Sequence, residues 1–346
     1  MRCPVSTTEI TRTDDFARSA ASHHLYALWE MTTLHQTGEP QTAPACHWPW
    51  SALQPLLDQA VRETTLRNAE RRVLLLGDPA FANAARDPHV TPVLQAGLQM
   101  LMPGESARPH RHTPNALRFV IEDGGDTCTE VDGKPCRMER GDVILTPAYT
   151  WHGHFHRGAS RSVWVDVLDS QLCNYLDAGF FDPASKLDGA MPCTVADAAF
   201  VEPGYAPLLP DAVASGYSPR FRFAWQATLA ALDAAPPQPD GSVAVRLTNP
   251  AGDGAAMPGM DCCMVRISRQ PTRAVRSTAS GICIVGAGSG VSSFGGQQLR
   301  WSENDIFTLP HWTWTSHRAE SDHAVLFIVS DADVQRRLGL LRHESA

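Results

Sequence analysis

Two stretches of this 346-residue chain repeat each other, and the repeat limits what it can fold into. DVILTPAYTWHGH, from Asp142, aligns without a gap against DIFTLPHWTWTSH, from Asp305. ARPHRHT, ending at Thr113, aligns in the same way with TRAVRST, ending at Thr278. A duplication of this kind predicts two copies of one structural unit. Around both copies lie short alternating runs such as LQAGLQMLM, LRFVIE, TCTEV, DVILTP and SVWVDVL. Turn signals separate them: Gly104 in PGE, Gly124 and Gly125 in EDGG, and Asp132-Gly133 in VDGK. That texture predicts an all-β-dominated fold of sandwiches or small barrels. The copies share an apolar frame but differ where chemistry would sit. His110 faces Val275 in the alignment, His112 faces Ser277, and His152 faces Thr315. One copy reads as chemical and the other as structural.

The remaining segments fill in the organisation. Residues 1–90 read as a mostly helical N-terminal arm, with helical texture over Asp15–Leu34 and Trp50–Glu70. Leu53, Leu56, Leu57 and Val61 fall on one face of the second helix. Residues 91–180 form the first β unit, 181–240 a connector with some helix, and 241–346 the second β unit, closed by a helix in VQRRLGLL. Lys and Arg total 29 against 37 Asp and Glu, a net charge of −8, which argues against a nucleic-acid or anionic-membrane binder. No apolar run is long enough for a membrane span, and the start lacks the apolar core of a signal peptide. Nine scattered cysteines fit reduced thiols in a cytoplasmic protein better than a disulfide framework.

His110 and His112 are spaced so that both imidazoles can share one face of a strand while Arg111 points away. His152, His154 and His156 share a face by the same alternation. Pairing of the two strands would bring one of these three to the first two. Neutral imidazoles suit Fe(II), Zn, Ni and Cu, and Mn less well.

Gly104-x5-His110-x-His112 resembles the first cupin motif, and Gly141-x5-Pro147-x4-His152 resembles the second. Two cupin lobes, a bicupin, would account for the repeat. The fuller strings LQMLMPGESARPHRHTPNALRFVIE, ILTPAYTWHGH and VWVDVLD resemble the gentisate 1,2-dioxygenase family, which includes salicylate and 1-hydroxy-2-naphthoate dioxygenases. The resemblance runs from near Ala69 to the C-terminal FIVSDADVQRRLGL and is strongest in the first lobe. It implies Fe(II) on His110, His112 and His152, and assembly as a homotetramer. The glutamate ligand of cupins at large is absent, with Ala116 and Leu117 in its place, as in this family's all-histidine sites.

The chemistry implied is the opening of a 2-hydroxybenzoate ring between its carboxyl- and hydroxyl-bearing carbons by O2. Three uncharged ligands leave the metal its full positive charge, which favours an anionic aromatic acid. Arg118, at an even step from His112 along what reads as one strand, can face the same cavity and meet the substrate carboxylate. His154 is placed to contact the substrate hydroxyl or oxygen as an acid or base. Asp166, a carboxylate in an apolar strand, is expected to orient a histidine or Arg118, or else to pair with Arg161. The resemblance also assigns Gln99, and Arg67 and Arg71 of the arm, to the substrate. At Gln95 relatives often carry a tryptophan, and an amide there favours salicylates bearing a polar group at the 5-position. Two other classes fit the residues less well. A Zn- or Mn-dependent cupin isomerase lacks its usual glutamate, and a non-catalytic acid-binding bicupin would be expected to lose histidines from both lobes.

Overall fold

The computed structural model describes residues 14–26, 42–65, 71–81, 88–183, 220–248 and 254–346. One helix, α1 (Asp14–Ser22), belongs to a separate unit ending at Gln41, and the chain from Thr42 onward forms a second unit. That unit opens with β1 (His47–Trp48), α2 (Trp50–Glu63) and β2 (Val73–Leu76). The first repeat comprises β3 (Gln95–Leu101), β4 (Ser106–His112), β5 (Ala116–Asp123), β6 (Thr127–Val131), β7 (Lys134–Met138), β8 (Val143–Thr146), β9 (His152–His156), β10 (Ser162–Leu168), α3 (Ser170–Tyr175) and β11 (Phe181–Asp182). Then come β12 (Arg222–Phe223), α4 (Trp225–Ala234) and β13 (Val243–Arg246). The second repeat comprises β14 (Asp261–Ile267), β15 (Val275–Ser277), β16 (Gly281–Ala287), β17 (Gly290–Phe294), β18 (Gln297–Trp301), β19 (Ile306–Leu309), β20 (Thr315–Ala319), β21 (Ala324–Ser330), α5 (Ala332–Arg337) and β22 (His343–Ser345).

The two repeats have the same topology. The first builds a six-stranded sheet, β12-β8-β5-β10-β3-β2, and a five-stranded sheet, β11-β4-β9-β6-β7. The second builds β1-β19-β16-β21-β14-β13 and β22-β15-β20-β17-β18, element for element. The tight hairpin β6–β7 turns on Asp132 and Gly133, both at positive φ (45° and 75°), as its Asp-Gly signal predicts. The fold is therefore a bicupin, mostly strand with few helices.

The segment preceding each repeat docks onto the other one. β1 pairs with β19, and Asp305 accepts the backbone N–H of Trp50 at the start of α2 (2.7 Å). β12 pairs with β8, and Asp142 accepts the N–H of Trp225 at the start of α4 (2.8 Å). The same turn aspartate thus satisfies an open helix N-terminus in both copies. Elsewhere the arm departs from its helical reading. Helix α2 ends at Glu63, β2 follows, and Leu56 is half exposed while Leu53 and Leu57 are buried.

Side-chain alternation divides the interior. The outward-facing residues of the two six-stranded sheets meet in the main core, where Leu98, Val165 and Phe119 lie with Met264, Ile284 and Phe327. Phe119 and Phe327 stack at 5.2 Å across this junction. The second barrel is filled by Cys283, Val285, Phe294, Trp301, Phe307 and Leu326. The first is filled only in part, by Leu101, Val120, Val131, Met138, Ile144 and Trp164. The remainder is a cavity lined by both polar and apolar side chains. Among the described residues no helix is long and apolar enough to cross a membrane.

Candidate active site

Strands β4 and β9 pair so that His110 lies directly opposite His152. In the second barrel the matching strands pair Val275 with Thr315 in the same register. The ring centroids of His110, His112 and His152 are 4.1–5.5 Å apart, and one nitrogen from each lies within 4.8 Å of the others. Each ring is anchored through Nδ1 to a backbone carbonyl: His110 to Arg108 (3.1 Å), His112 to Pro114 (2.7 Å) and His152 to Thr150 (3.0 Å). A carbonyl can only accept, so Nδ1 carries the proton and Nε2 keeps its lone pair. His152 Nε2 is buried with no hydrogen-bond partner in the protein. Burial, followed by the charge of Arg71, pushes the His110 imidazolium down to about 3. Burial likewise holds His112 near 4 and His152 well below its ordinary value. Three convergent, neutral and proton-free nitrogens fit a divalent metal ion.

His110 and His112 open onto a cavity of about 520 Å³, within the range of small-molecule sites. Its walls include Arg71, Val73, Leu75, Gln95, Gly97, Gln99, Arg118, His154, Asp166, Leu168 and Phe181. A larger groove, about 700 Å³, lies elsewhere against α2. There Arg161 pairs with Glu122 and Asp58, and Arg140 with Glu303.

Arg118 reaches the cavity from β5, not from the strand of His112. Pro114 lies in the turn between β4 and β5, and the chain crosses to the other sheet before Arg118. The even step along a single strand was the wrong route to the right cavity. Asp166 sits directly opposite Arg118 across the β10–β5 pair, with Oδ1 3.2 Å from Nε, though that N–H does not aim at it. Arg118 also donates to Thr146 Oγ1 (2.8 Å), and Asp166 accepts from Trp164 Nε1 (3.2 Å). Burial raises the Asp166 carboxyl and lowers the Arg118 guanidinium, and each charge opposes the other's shift. Arg161 pairs with Glu122 and Asp58 instead.

His154 lies beside the cluster, its ring 6.1 Å from His152 and 5.2 Å from Trp164. Its Nδ1 bonds Thr129 Oγ1 (2.8 Å), and its buried Nε2 has no protein partner. The Gln99 amide nitrogen is buried and unpartnered as well. Gln95 is held by Ser170 Oγ (3.4 Å) and the Pro88 carbonyl (3.3 Å). Arg71 lies over the Phe181 ring at 5.5 Å, and Arg67 falls outside the described residues. His156 is buried but turned to structure: Nδ1 meets Thr127 Oγ1 (2.7 Å) and Nε2 meets the Ser160 carbonyl (2.6 Å).

Sequence reasoning missed Phe181, whose ring is 5.7 Å from that of His110. The repeat itself could have found it. β11 pairs with β4 through Arg111 and Asp182, as β22 pairs with β15 through Arg276 and Glu344. Val73 and Leu75 were also missed, inside an arm read as helical.

Residues 97–168 match the family model described as a cupin domain. A gentisate 1,2-dioxygenase from Aquipseudomonas alcaligenes is 33% identical over 95% of both chains. A 5-aminosalicylate 1,2-dioxygenase from a Comamonas species is 33% identical over 86% of this chain and 80% of its own. The crystal structure of a salicylate 1,2-dioxygenase from Pseudaminobacter salicylatoxidans superposes with a TM-score of 0.85 at 29% identity, covering 99% of both chains. The same enzyme has been crystallised as an adduct with gentisate. With these relatives and a buried histidine triad in a barrel whose twin has lost it, the chain belongs to the gentisate 1,2-dioxygenase family and is a dioxygenase that cleaves aromatic rings.

Proposed function

We propose that the cavity binds a monocyclic 2-hydroxybenzoate beside Fe(II) held by His110, His112 and His152. The supporting observation is the set of three Nε2 lone pairs aimed at one point by Nδ1–H bonds to backbone carbonyls. The iron, when bound, supplies the Lewis-acid and redox chemistry that lets O2 add to the ring, with both oxygen atoms kept in the product. The protein does the rest. Arg118, fixed by Asp166 and Thr146, binds the substrate carboxylate through its remaining donors. His154 Nε2 accepts the hydrogen bond, and then the proton, of the 2-hydroxyl group. The Gln99 amide donates to an oxygen atom within the cavity. Val73, Leu75, Leu168 and Phe181 wall the ring from water, and Arg71 adds positive charge, as Arg67 does in our reading.

Gentisate is the leading substrate. Gln95 on the wall favours a second reading, a salicylate with a polar 5-substituent, and the similarity to a 5-aminosalicylate dioxygenase agrees with it. A cytoplasmic homotetramer completes the proposal. Anaerobic reconstitution with Fe(II), then oxygen uptake with gentisate, salicylate and 5-aminosalicylate, tests it. Uptake with gentisate or 5-aminosalicylate supports the reading. Full iron loading without uptake on any of the three would refute it.

A further inference from the structure

We propose that Thr129 and Met138 are positioning residues that fix the tautomer of His154, so that its Nε2 meets the substrate as a bare lone pair. The inference rests on the role given to His154 above, and the duplicated lobe supplies the comparison. In register, Thr129 lies opposite His154 in the first barrel as Ser292 lies opposite His317 in the second. In both, a buried hydroxyl meets Nδ1 of the imidazole, at 2.8 Å and 2.7 Å. The copies differ in the hydroxyl's other partner. Trp301 occupies it in the second barrel, and its equivalent in the first is Met138.

That exchange reverses the direction of the hydrogen bonds. Trp301 Nε1–H can only donate, and it donates to Ser292 Oγ (2.8 Å). The serine proton then needs an acceptor in a fully buried place, and His317 Nδ1 is the one within reach. His317 is therefore protonated at Nε2. Met138 carries a thioether, which can only accept, and its sulfur lies 3.1 Å from Thr129 Oγ1. The threonine proton turns toward sulfur, and its oxygen receives Nδ1–H of His154. This arrangement makes two hydrogen bonds. The alternative makes one and leaves an orphaned N–H at His154 Nε2, which has no protein partner. Both forms are neutral, so the choice is one of tautomer alone. A Thr–Met pair suits a histidine that must accept from a substrate hydroxyl, whereas a Ser–Trp pair would present it a donor.

Neutron diffraction from crystals of the full chain, loaded with Zn(II) and grown in deuterated solvent, tests this directly. Deuterium is expected on Nδ1 and not Nε2 of His154, with the reverse at His317. Deuterium on His154 Nε2, or the same tautomer at both histidines, would overturn the proposal. Kinetics of the iron-loaded enzyme give a second test. Thr129→Val should lower kcat/KM about tenfold, the equivalent of one hydrogen bond, and Thr129→Ser should restore it. Wild-type kcat/KM in Thr129→Val would count against the proposal, as would failure of serine to rescue. His154→Ala separates the two layers: unchanged turnover would remove the substrate-binding role of His154, while the neutron map would still decide the tautomer.

Discussion

The Arg118–Asp166 pair offers a quantitative test of how the cavity is built. Arg118 is 3% exposed and Asp166 7%, and they face each other from adjacent strands. Charges about 4 Å apart at an effective dielectric near 20 attract by about 4 kcal/mol. Removing one partner leaves the other buried without a counter-charge, a loss of about 3–5 kcal/mol in closed interiors. The cavity beside them admits some solvent, so the lower end of that range is expected here. Asp166→Asn keeps the shape and the bond from Trp164, Arg118→Met keeps the stem, and the double variant removes both charges together. Urea unfolding of the metal-free protein, at one fixed concentration, should show each single variant destabilised by about 3 kcal/mol. The double variant should lose less than the sum by at least about 2 kcal/mol. A coupling below about 0.5 kcal/mol would refute the idea that Asp166 holds Arg118 in place. Asp166→Asn should also raise KM for the carboxylate substrate, because the guanidinium is no longer fixed.

Further expectations follow from the same geometry. His110→Ala and His152→Ala should abolish tight Fe(II) binding, measured by metal content after gel filtration, whereas His317→Ala should retain it; loss of iron in the latter would contradict a single site in the first barrel. His110 and His112 are held neutral in the fold, to about 3 and about 4, while in the unfolded chain they take up protons below about 6.5. Stability of the metal-free protein should therefore be complete above that value and fall as pH drops toward 4, as read by thermal unfolding. A midpoint constant from pH 7 to 4.5 would show that the histidines are not shielded. Gln95→Ala should lower kcat/KM for 5-aminosalicylate about tenfold relative to unsubstituted salicylate, one hydrogen bond's worth. An unchanged ratio would take Gln95 out of substrate recognition. Phe327→Ala, which unstacks the junction between the lobes, should cost about 3–5 kcal/mol of stability, measured by urea unfolding.

Much of this was legible in the sequence because a strand's alternation is simple and the repeat doubled the signal. The strings from Asp142 and Asp305 exposed the two lobes, and the histidines that differ between them pointed to the cluster that could hold a metal ion. What escaped were features set by pairs too distant or runs too short. His47-Trp48 and Arg222-Phe223 are two-residue strands with no periodicity to read, so the exchange of segments between lobes was invisible. Arg118 lies on β5 and not on the strand of His112, because the turn at Pro114 changes sheets without changing the parity of the count. Phe181 lies in another two-residue strand, β11, which only the comparison with β22 in the second lobe could have flagged. Thr129 and Met138 look like ordinary strand residues until register sets them against His154. Arg67 lies outside the described residues, and its role beside Arg71 rests on the family resemblance.

We propose that His110, His112 and His152 would hold Fe(II), which would supply the chemistry by which O2 opens a 2-hydroxybenzoate ring bound in the cavity. A single turnover of the Fe(II)-loaded enzyme with gentisate or 5-aminosalicylate under 18O2, read by mass spectrometry, tests it most directly. A ring-opened dicarboxylate carrying both labelled atoms is the expected product. A product with one labelled atom and an intact ring, or unchanged substrate at full iron occupancy, would contradict it.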